Sequence, residues 1–137
     1  MSTTVLGIDY GEKRIGVARA SRVARLPEQL TTLTNTKDII SEIKKIAQEE
    51  DATTLVVGLP RSLEGVDTQQ TKKTRLFMEQ LREAGFVVVE QDEAVTSEHA
   101  LTELQQTNRD FNKSDVDSLA AVYILEDYLH EEELRLK

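Results

Sequence analysis

The sequence predicts an α/β fold with a five-stranded mixed sheet, in which three antiparallel strands precede two parallel strands and helices flank the sheet. Up to about residue 34, short apolar runs are joined by tight turns, which is typical of strands paired in hairpins. Further along, segments with apolar residues at helical spacing alternate with short apolar runs, which is typical of parallel strands joined by helices. The length of 137 residues predicts a single domain, residues 1–137.

Three strands are predicted near the N-terminus. The segment Thr4–Asp9 is an apolar run that ends in a carboxylate, as expected of a short buried strand. A turn that contains Gly11 follows, and the alternation of residues in Arg14–Ala20 predicts the hairpin partner of the first strand. A third strand is predicted between Val23 and Leu33, with Pro27 at an edge or a bulge.

The remainder of the chain predicts helices that alternate with two parallel strands. In order, these elements are a helix capped by Asn35 or Thr36, a strand at 54–58, a loop at 59–65, a helix at about 69–84, a strand at 86–90, and helices at about 97–107 and 114–133. The run at 54–58 is too short for a helix and is therefore predicted as a strand. Gly85 follows the predicted helix at about 69–84 and is suited to end it.

The composition limits the chemistry that this chain can perform. The chain has no cysteine, which excludes disulfides, a thiol nucleophile, iron–sulfur clusters and cysteine zinc sites. It has only two histidines, which excludes a histidine-rich metal site. The net charge of −8 argues against a nucleic-acid partner, but residues 76–137 carry fifteen acidic side chains against five basic ones. Residues 1–25 carry five basic against two acidic, so nucleic acid stays open as a partner.

The sequence also predicts a cytoplasmic protein without membrane contact. Its first residues lack the basic region followed by an apolar region that marks a signal peptide. No apolar run approaches the length needed to cross a membrane. We expect a monomer or a homodimer.

Acidic residues occur at places where an α/β sheet forms its sites. Such sites lie beyond the carboxyl ends of the strands. Asp9 ends the first strand, Asp92 and Glu93 follow the last predicted strand, and Asp117 opens the last helix. Each has a structural alternative: Asp9 could form an Asx turn with the glycine that follows, and Asp117 could complete a capping box with Ser114. Glu93 could simply be the first residue after a strand.

Together these carboxylates predict a metal site. Mg²⁺ and Mn²⁺ prefer oxygen ligands, and two such ions about 3.5–4 Å apart can activate a water and stabilise the leaving oxygen of a phosphodiester. Lys13 and Arg14 follow Asp9 closely enough to contact phosphate, although solvated charges in a hairpin turn are the alternative. Residues 66–75 are either a flap whose cations contact a substrate or the solvated start of a helix.

Four segments resemble the motifs of the YqgF/RuvX family, which has a Holliday-junction-resolvase-like, RNase H-like fold. They are Gly7–Ala18 (GIDYGEKRIGVA), Val56–Pro60 with Gly65, Asp92–Glu93 with Thr96 and Ser97, and Val116–Ala121 with Ile124 and Leu125. The four occur in order from about residue 4 to residue 129. An RNase H-like fold agrees with the element order predicted above.

The resemblance implies a metal-dependent nuclease that matures the 5′ end of pre-16S ribosomal RNA during ribosome biogenesis, with the pre-ribosomal particle as a partner. By motif, Asp9, Glu93 and Asp117 would be the catalytic residues that bind two Mg²⁺ or Mn²⁺ ions, with Asp92 as the alternative to Glu93. Lys13 and Arg14 match the basic positions of the first motif and would bind substrate.

One position departs from the family pattern. Ala94 follows Glu93 where the family has arginine, and alanine can neither bind phosphate nor hold a carboxylate in position. Three consequences are open: activity is reduced, Arg61 or Arg75 supplies the cation, or the protein binds without cutting. We predict Arg61 as a substrate-binding residue.

Three other functions compete with that of a pre-rRNA nuclease. One is a Holliday junction resolvase-like DNA nuclease, and another is a non-catalytic nucleic-acid-binding factor in ribosome assembly, which the missing arginine favours. The third is a phosphotransferase of the acetate kinase and actin type. A single domain disfavours that enzyme, because such enzymes close two domains around ATP.

Overall fold

The computed structural model describes residues 3–60, 66–93 and 113–135. Its elements are, in order, β1 (Thr4–Asp9), β2 (Arg14–Ser21), β3 (Glu28–Thr34), α1 (Ile39–Glu50), β4 (Ala52–Pro60), α2 (Gln69–Glu83), β5 (Val87–Glu93) and α3 (Lys113–Arg135). The five strands form one sheet in the order β3-β2-β1-β4-β5. The first three strands are antiparallel, and β4 and β5 continue the sheet in parallel with β1. The predicted α/β class and mixed sheet are confirmed.

The sheet separates two hydrophobic cores, because successive side chains of a strand point to opposite faces. In β1, Leu6 and Ile8 pack with the buried residues of α1 and α2. Val5 packs on the other face, with the buried residues of α3. The fold therefore has three layers, with α1 and α2 on one face of the sheet and α3 on the other.

Three glycines of the sheet allow α3 to lie directly against the strand backbones. A Cβ at Gly7 would lie 2.6 Å from a side chain of α3, and a Cβ at Gly58 would also overlap a side chain of this helix. A Cβ at Gly16 would overlap the backbone carbonyl oxygen of Asp117, which cannot rotate away as a side chain can. These glycines therefore determine how closely α3 approaches the sheet, and Gly16 lets the backbone of Asp117 lie against the surface of the sheet.

The first helix begins later than predicted. The prediction of Asn35 or Thr36 as its cap is wrong, because α1 begins at Ile39 with Asp38 in the N-cap position. The hydroxyl of Thr36 accepts the N–H of Asp38 at 3.2 Å, and the side-chain amide of Asn35 donates to the carbonyl of Gly11 at 2.9 Å. Both side chains thus stabilise the segment before the helix.

The third strand also begins later than the sequence suggests. Residues 21–25 form a turn, in which the N–H of Arg25 donates to the carbonyl of Ser21 at 2.7 Å. Arg25 adopts a φ of 58°, outside the strand region, and its guanidinium donates to the carbonyl of Leu129 in α3. Pro27 consequently lies just before β3, which is an edge strand of the sheet.

The two parallel strands are longer than predicted. Leu59 and Pro60, expected in a loop, are the last residues of β4, and β5 continues through Asp92 and Glu93. Parallel pairing joins Leu59 to Asp92 and Pro60 to Glu93. Backbone hydrogen bonds can extend a strand beyond its apolar residues, because they do not depend on the side chains. The apolar pattern therefore underestimates the length of the strand.

The predicted second helix is confirmed, and the flap alternative is wrong from Gln69 onward. Thr68 caps α2 in a capping box with Thr71, in which each side chain accepts a backbone N–H of the other residue. The hydroxyl of Thr71 also donates to the carbonyl of Pro60. Gly85, with a φ of +104°, follows the end of the helix as predicted.

The last predicted helix is confirmed as α3. The predicted helix at about 97–107 lies outside the described residues, as do Arg61 and Ala94. Within the described ranges, no helix is long and apolar enough to cross a membrane.

Candidate active site at the carboxyl end of the sheet

The first strand and the last helix of the described chain meet near Asp9. Asp9 is the last residue of β1 and pairs with Gly16 of β2. Gly16 in turn lies against the backbone of Asp117 in α3. Asp9, Gly16 and Asp117 are therefore neighbours on one face of the sheet, at the carboxyl end of β1.

Asp9 is half-buried, and its carboxyl group lies in an unfavourable electrostatic environment. Burial, and secondly the charge of Asp117, raise the pKa of Asp9 to about 7 from its ordinary value of 3.8. In the predicted alternative, an Asx turn, the carboxylate would accept an N–H, which lowers a pKa. The raised pKa therefore favours a functional interpretation of Asp9 over the turn.

Asp117 is held by an ion pair and not by a helix cap. Because α3 begins at Lys113, Ser114 is already inside the helix, and the predicted capping box with Asp117 is wrong. Nε of Arg14 lies 2.8 Å from Oδ2 of Asp117, and the two side chains are 33% and 20% exposed. Arg14 thus partly compensates the charge of Asp117.

The strand register separates Glu93 from Asp92. Neighbouring residues of a strand point to opposite faces. The side chain of Glu93 lies over Gly58, with its Cγ 3.7 Å from the place of a Cβ there, and its Oε1 is shielded from solvent. Asp92 is exposed and interacts electrostatically with Arg75 of α2. Glu93, and not Asp92, therefore shares the α3 face of the sheet with Asp9.

Basic residues border these carboxylates on the turn between β1 and β2. Lys13 is exposed there, and the neighbouring Glu12 forms an ion pair with Lys73 of α2. The hydrogen bond from Lys73 is the main cause that lowers the pKa of Glu12. Gln70 of α2 also donates its side-chain amide to the carbonyl of Tyr10 at 3.2 Å. The start of α2 therefore holds the turn that carries Lys13.

The donor set at this edge suits a divalent cation in part. Within the described ranges, no three histidine, cysteine or acidic side chains are grouped closely enough to hold an ion. Asp9 and Asp117 nevertheless provide carboxylate oxygens, which Mg²⁺ and Mn²⁺ prefer. The raised pKa of Asp9 shows that its negative charge is poorly compensated, and a dication would compensate it.

A comparison with known families identifies the group to which the chain belongs. Residues 3–131 match the model of a family described as "RuvX: Holliday junction resolvase". The chain belongs to the RuvX family. The predicted resemblance is confirmed, and membership places the chain among nucleases, which hydrolyse phosphodiester bonds. Nucleases of this kind generally use divalent metal ions.

Curated RuvX relatives align over most of the chain. A "Putative pre-16S rRNA nuclease" of Sulfurihydrogenibium is 33% identical over 128 residues, which cover 91% of this chain and 88% of the relative. A protein of the same name from Thermoanaerobacter pseudethanolicus is 36% identical over 132 residues, which cover 91% of this chain and 94% of the relative.

Solved structures show the fold of this RuvX chain independently. RuvC of Thermus thermophilus in complex with a Holliday junction substrate superposes with a TM-score of 0.56 at 13% identity, covering 96% of each chain. The fowlpox virus resolvase with Holliday junction DNA gives a TM-score of 0.53 at 11% identity, covering 98% of this chain and 99% of the viral one. Both confirm the predicted RNase H-like fold.

Two features of the site were missed by sequence reasoning. The first is Gly16, which lets α3 approach the sheet. The sequence could have indicated it, because a hairpin closed by the turn at Gly11 places Gly16 opposite Asp9. The second is the ion pair between Arg14 and Asp117. The sequence could not have predicted it, because it depends on where α3 crosses the sheet.

Proposed function

We propose that this RuvX-family chain is a divalent-metal-dependent nuclease that processes the 5′ end of pre-16S ribosomal RNA. The observation that carries the proposal is the half-buried carboxyl group of Asp9 beside Asp117, with Glu93 on the same face of the sheet. The names of the curated relatives support the substrate. Cytoplasmic location and association with the pre-ribosomal particle belong to the same proposal.

In this proposal Asp9, Glu93 and Asp117 are the catalytic residues that would hold Mg²⁺ or Mn²⁺, in a site for two ions. The ions would draw the three carboxylates closer together than they lie in this structure. The bound ions would supply an activated water and stabilise the charge that develops on the phosphodiester. Asp9 must lose its proton to serve as a ligand, and its raised pKa makes this less favourable in acid. Glu93 approaches from β5, on the opposite side of β1 from Arg14.

The substrate would be held by basic residues, of which Lys13 and Arg14 border the carboxylates and Arg61 lies outside the described residues. We propose Lys13, Arg14 and Arg61 as phosphate-binding residues, because a guanidinium can bind a phosphate through two N–H groups and an ammonium attracts it as a point charge. Lys13 is exposed on a turn that α2 holds in place. The turn therefore does not have to become ordered before Lys13 contacts the phosphate backbone of a substrate.

A cleavage assay with two substrates tests the proposal. The protein is incubated with an RNA that spans the 5′ end of the 16S precursor and, separately, with a four-way DNA junction, in Mg²⁺, in Mn²⁺ and in EDTA. We expect cleavage of the RNA with either metal and none in EDTA. Preferred cleavage of the junction would support the resolvase alternative instead. Binding of the RNA without cleavage would support a non-catalytic assembly factor.

A matched pair of variants tests the assignment of Glu93. Glu93→Gln removes a charge on the face of Asp9, and we expect cleavage to fall about 100-fold or more, as for the loss of a metal-binding carboxylate. Asp92→Asn removes the neighbouring charge on the opposite face, and we expect activity within about twofold of the unmodified protein. Single-turnover rates measure both, and equal losses would contradict the assignment.

A further inference from the structure

The ion pair between Arg14 and Asp117 occupies a carboxylate that the proposed function assigns to a metal ion. Nε of Arg14 donates to Oδ2 of Asp117 at 2.8 Å. The guanidinium and a dication carry charges of the same sign, and at contact distances from one carboxylate they repel each other strongly. A dication at Asp117 would therefore be opposed by the charge of Arg14.

The packing shows which partner of the pair can move. The backbone of Asp117 is pressed against Gly16, with no room even for a Cβ between them. Arg14 has a long side chain, is one-third exposed and lies at the start of β2, next to the exposed residues Glu12 and Lys13. A partly exposed ion pair is also weak. Arg14 can therefore leave for solvent, while Asp117 stays in place.

We propose that Arg14 is an internal counter-cation of Asp117 that competes with the divalent ion and so raises the metal concentration needed to fill the site. This inference rests on the metal site of the proposed function. In the metal-free protein the guanidinium limits the repulsion between Asp117 and Asp9. When a dication binds, Arg14 is released, and a released guanidinium next to Lys13 is available to bind a phosphate.

Binding of Mn²⁺ to the nucleic-acid-free protein tests the competition without any measurement of cleavage. Electron paramagnetic resonance of unbound Mn²⁺ gives the dissociation constant. We expect Arg14→Gln to bind Mn²⁺ about fivefold or more tightly than the unmodified protein, a typical size for coupling between two sites. Lys13→Gln removes the same charge from the neighbouring exposed residue, and we expect a change below about twofold, because exposed charges are screened.

A third variant separates competition from a structural role. Arg14→Lys keeps the positive charge, and we expect its Mn²⁺ affinity to stay close to that of the unmodified protein. If Arg14→Gln binds Mn²⁺ with equal or lower affinity, the competition is refuted while the metal site stands, and a lower affinity would show that Arg14 orients Asp117 for the metal. If the unmodified protein binds Mn²⁺ no better than Asp9→Asn does, the metal site itself fails, and the competition with it.

Discussion

Replacement of Asp9 by asparagine is expected to abolish metal-dependent cleavage while the protein remains folded. The amide removes the charge that would hold a dication beside Asp117 but preserves the shape of the side chain. The loss should reach at least about 1,000-fold in the single-turnover rate, because metal ions contribute several kcal/mol of transition-state stabilisation. Gel-based cleavage of the RNA substrate in Mg²⁺ and in Mn²⁺ measures it, and cleavage within tenfold of the unmodified rate (about 1.4 kcal/mol) would contradict the role of Asp9.

The same variant is expected to be more stable than the unmodified metal-free protein at neutral pH. The pKa of Asp9 is about 7 in the folded protein and ordinarily 3.8, so the folded state binds the proton more tightly than the unfolded state does. The resulting stability is complete below the ordinary pKa and is lost as the pH rises through about 7. Asp9→Asn avoids this loss and should gain about 2–4 kcal/mol above pH 7 and little at pH 4.

Urea unfolding in EDTA across this pH range measures the effect. Asp92→Asn is the control, since an exposed carboxylate on the opposite face should change the free energy of unfolding by less than about 0.5 kcal/mol. Millimolar Mg²⁺ should stabilise the unmodified protein and not Asp9→Asn. A variant that is less stable than the unmodified protein at pH 8 would show that the carboxylate of Asp9 is favourably paired.

The second large effect is expected for Gly16→Ala. The added Cβ would overlap the backbone carbonyl oxygen of Asp117, and neither backbone can give way without displacing α3 from the sheet. We expect a loss of at least about 3 kcal/mol in the free energy of unfolding, at the upper end for overpacked sites. Because Asp117 moves with α3, Mn²⁺ binding should be lost in the fraction that stays folded.

Gly85→Ala is the matched control for this variant. Gly85 has a φ of +104°, which strains alanine, but no atom lies within 4 Å of the added Cβ. We expect a loss of only about 1–2 kcal/mol and unchanged Mn²⁺ affinity. Urea unfolding and Mn²⁺ titration of both variants distinguish the overlap at α3 from a general cost of replacing glycine. Equal losses in the two variants would contradict the spacing role of Gly16.

Much of the fold could be predicted because it depends on local patterns. The apolar run that ends at Asp9 and the turn at Gly11 indicate the first hairpin, and Gly85 marks the end of α2. Predictions of boundaries failed where a partner outside the segment decides them. Glu93 belongs to β5 because its backbone pairs with Pro60, and no property of the segment itself shows this.

The candidate site likewise has features that the sequence predicts and features that depend on the tertiary structure. Within the described residues, the sequence alone determined the order of the elements and the acidic residues at the ends of strands, and it also carries the family motifs, because these follow from periodicity and from residue type. Only the tertiary structure decided that Glu93 and not Asp92 shares a face of the sheet with Asp9, that Asp117 lies beside Asp9, and that Arg14 pairs with Asp117. Those facts depend on strand register and on how closely α3 approaches Gly16, and both are properties of segments far apart in the chain.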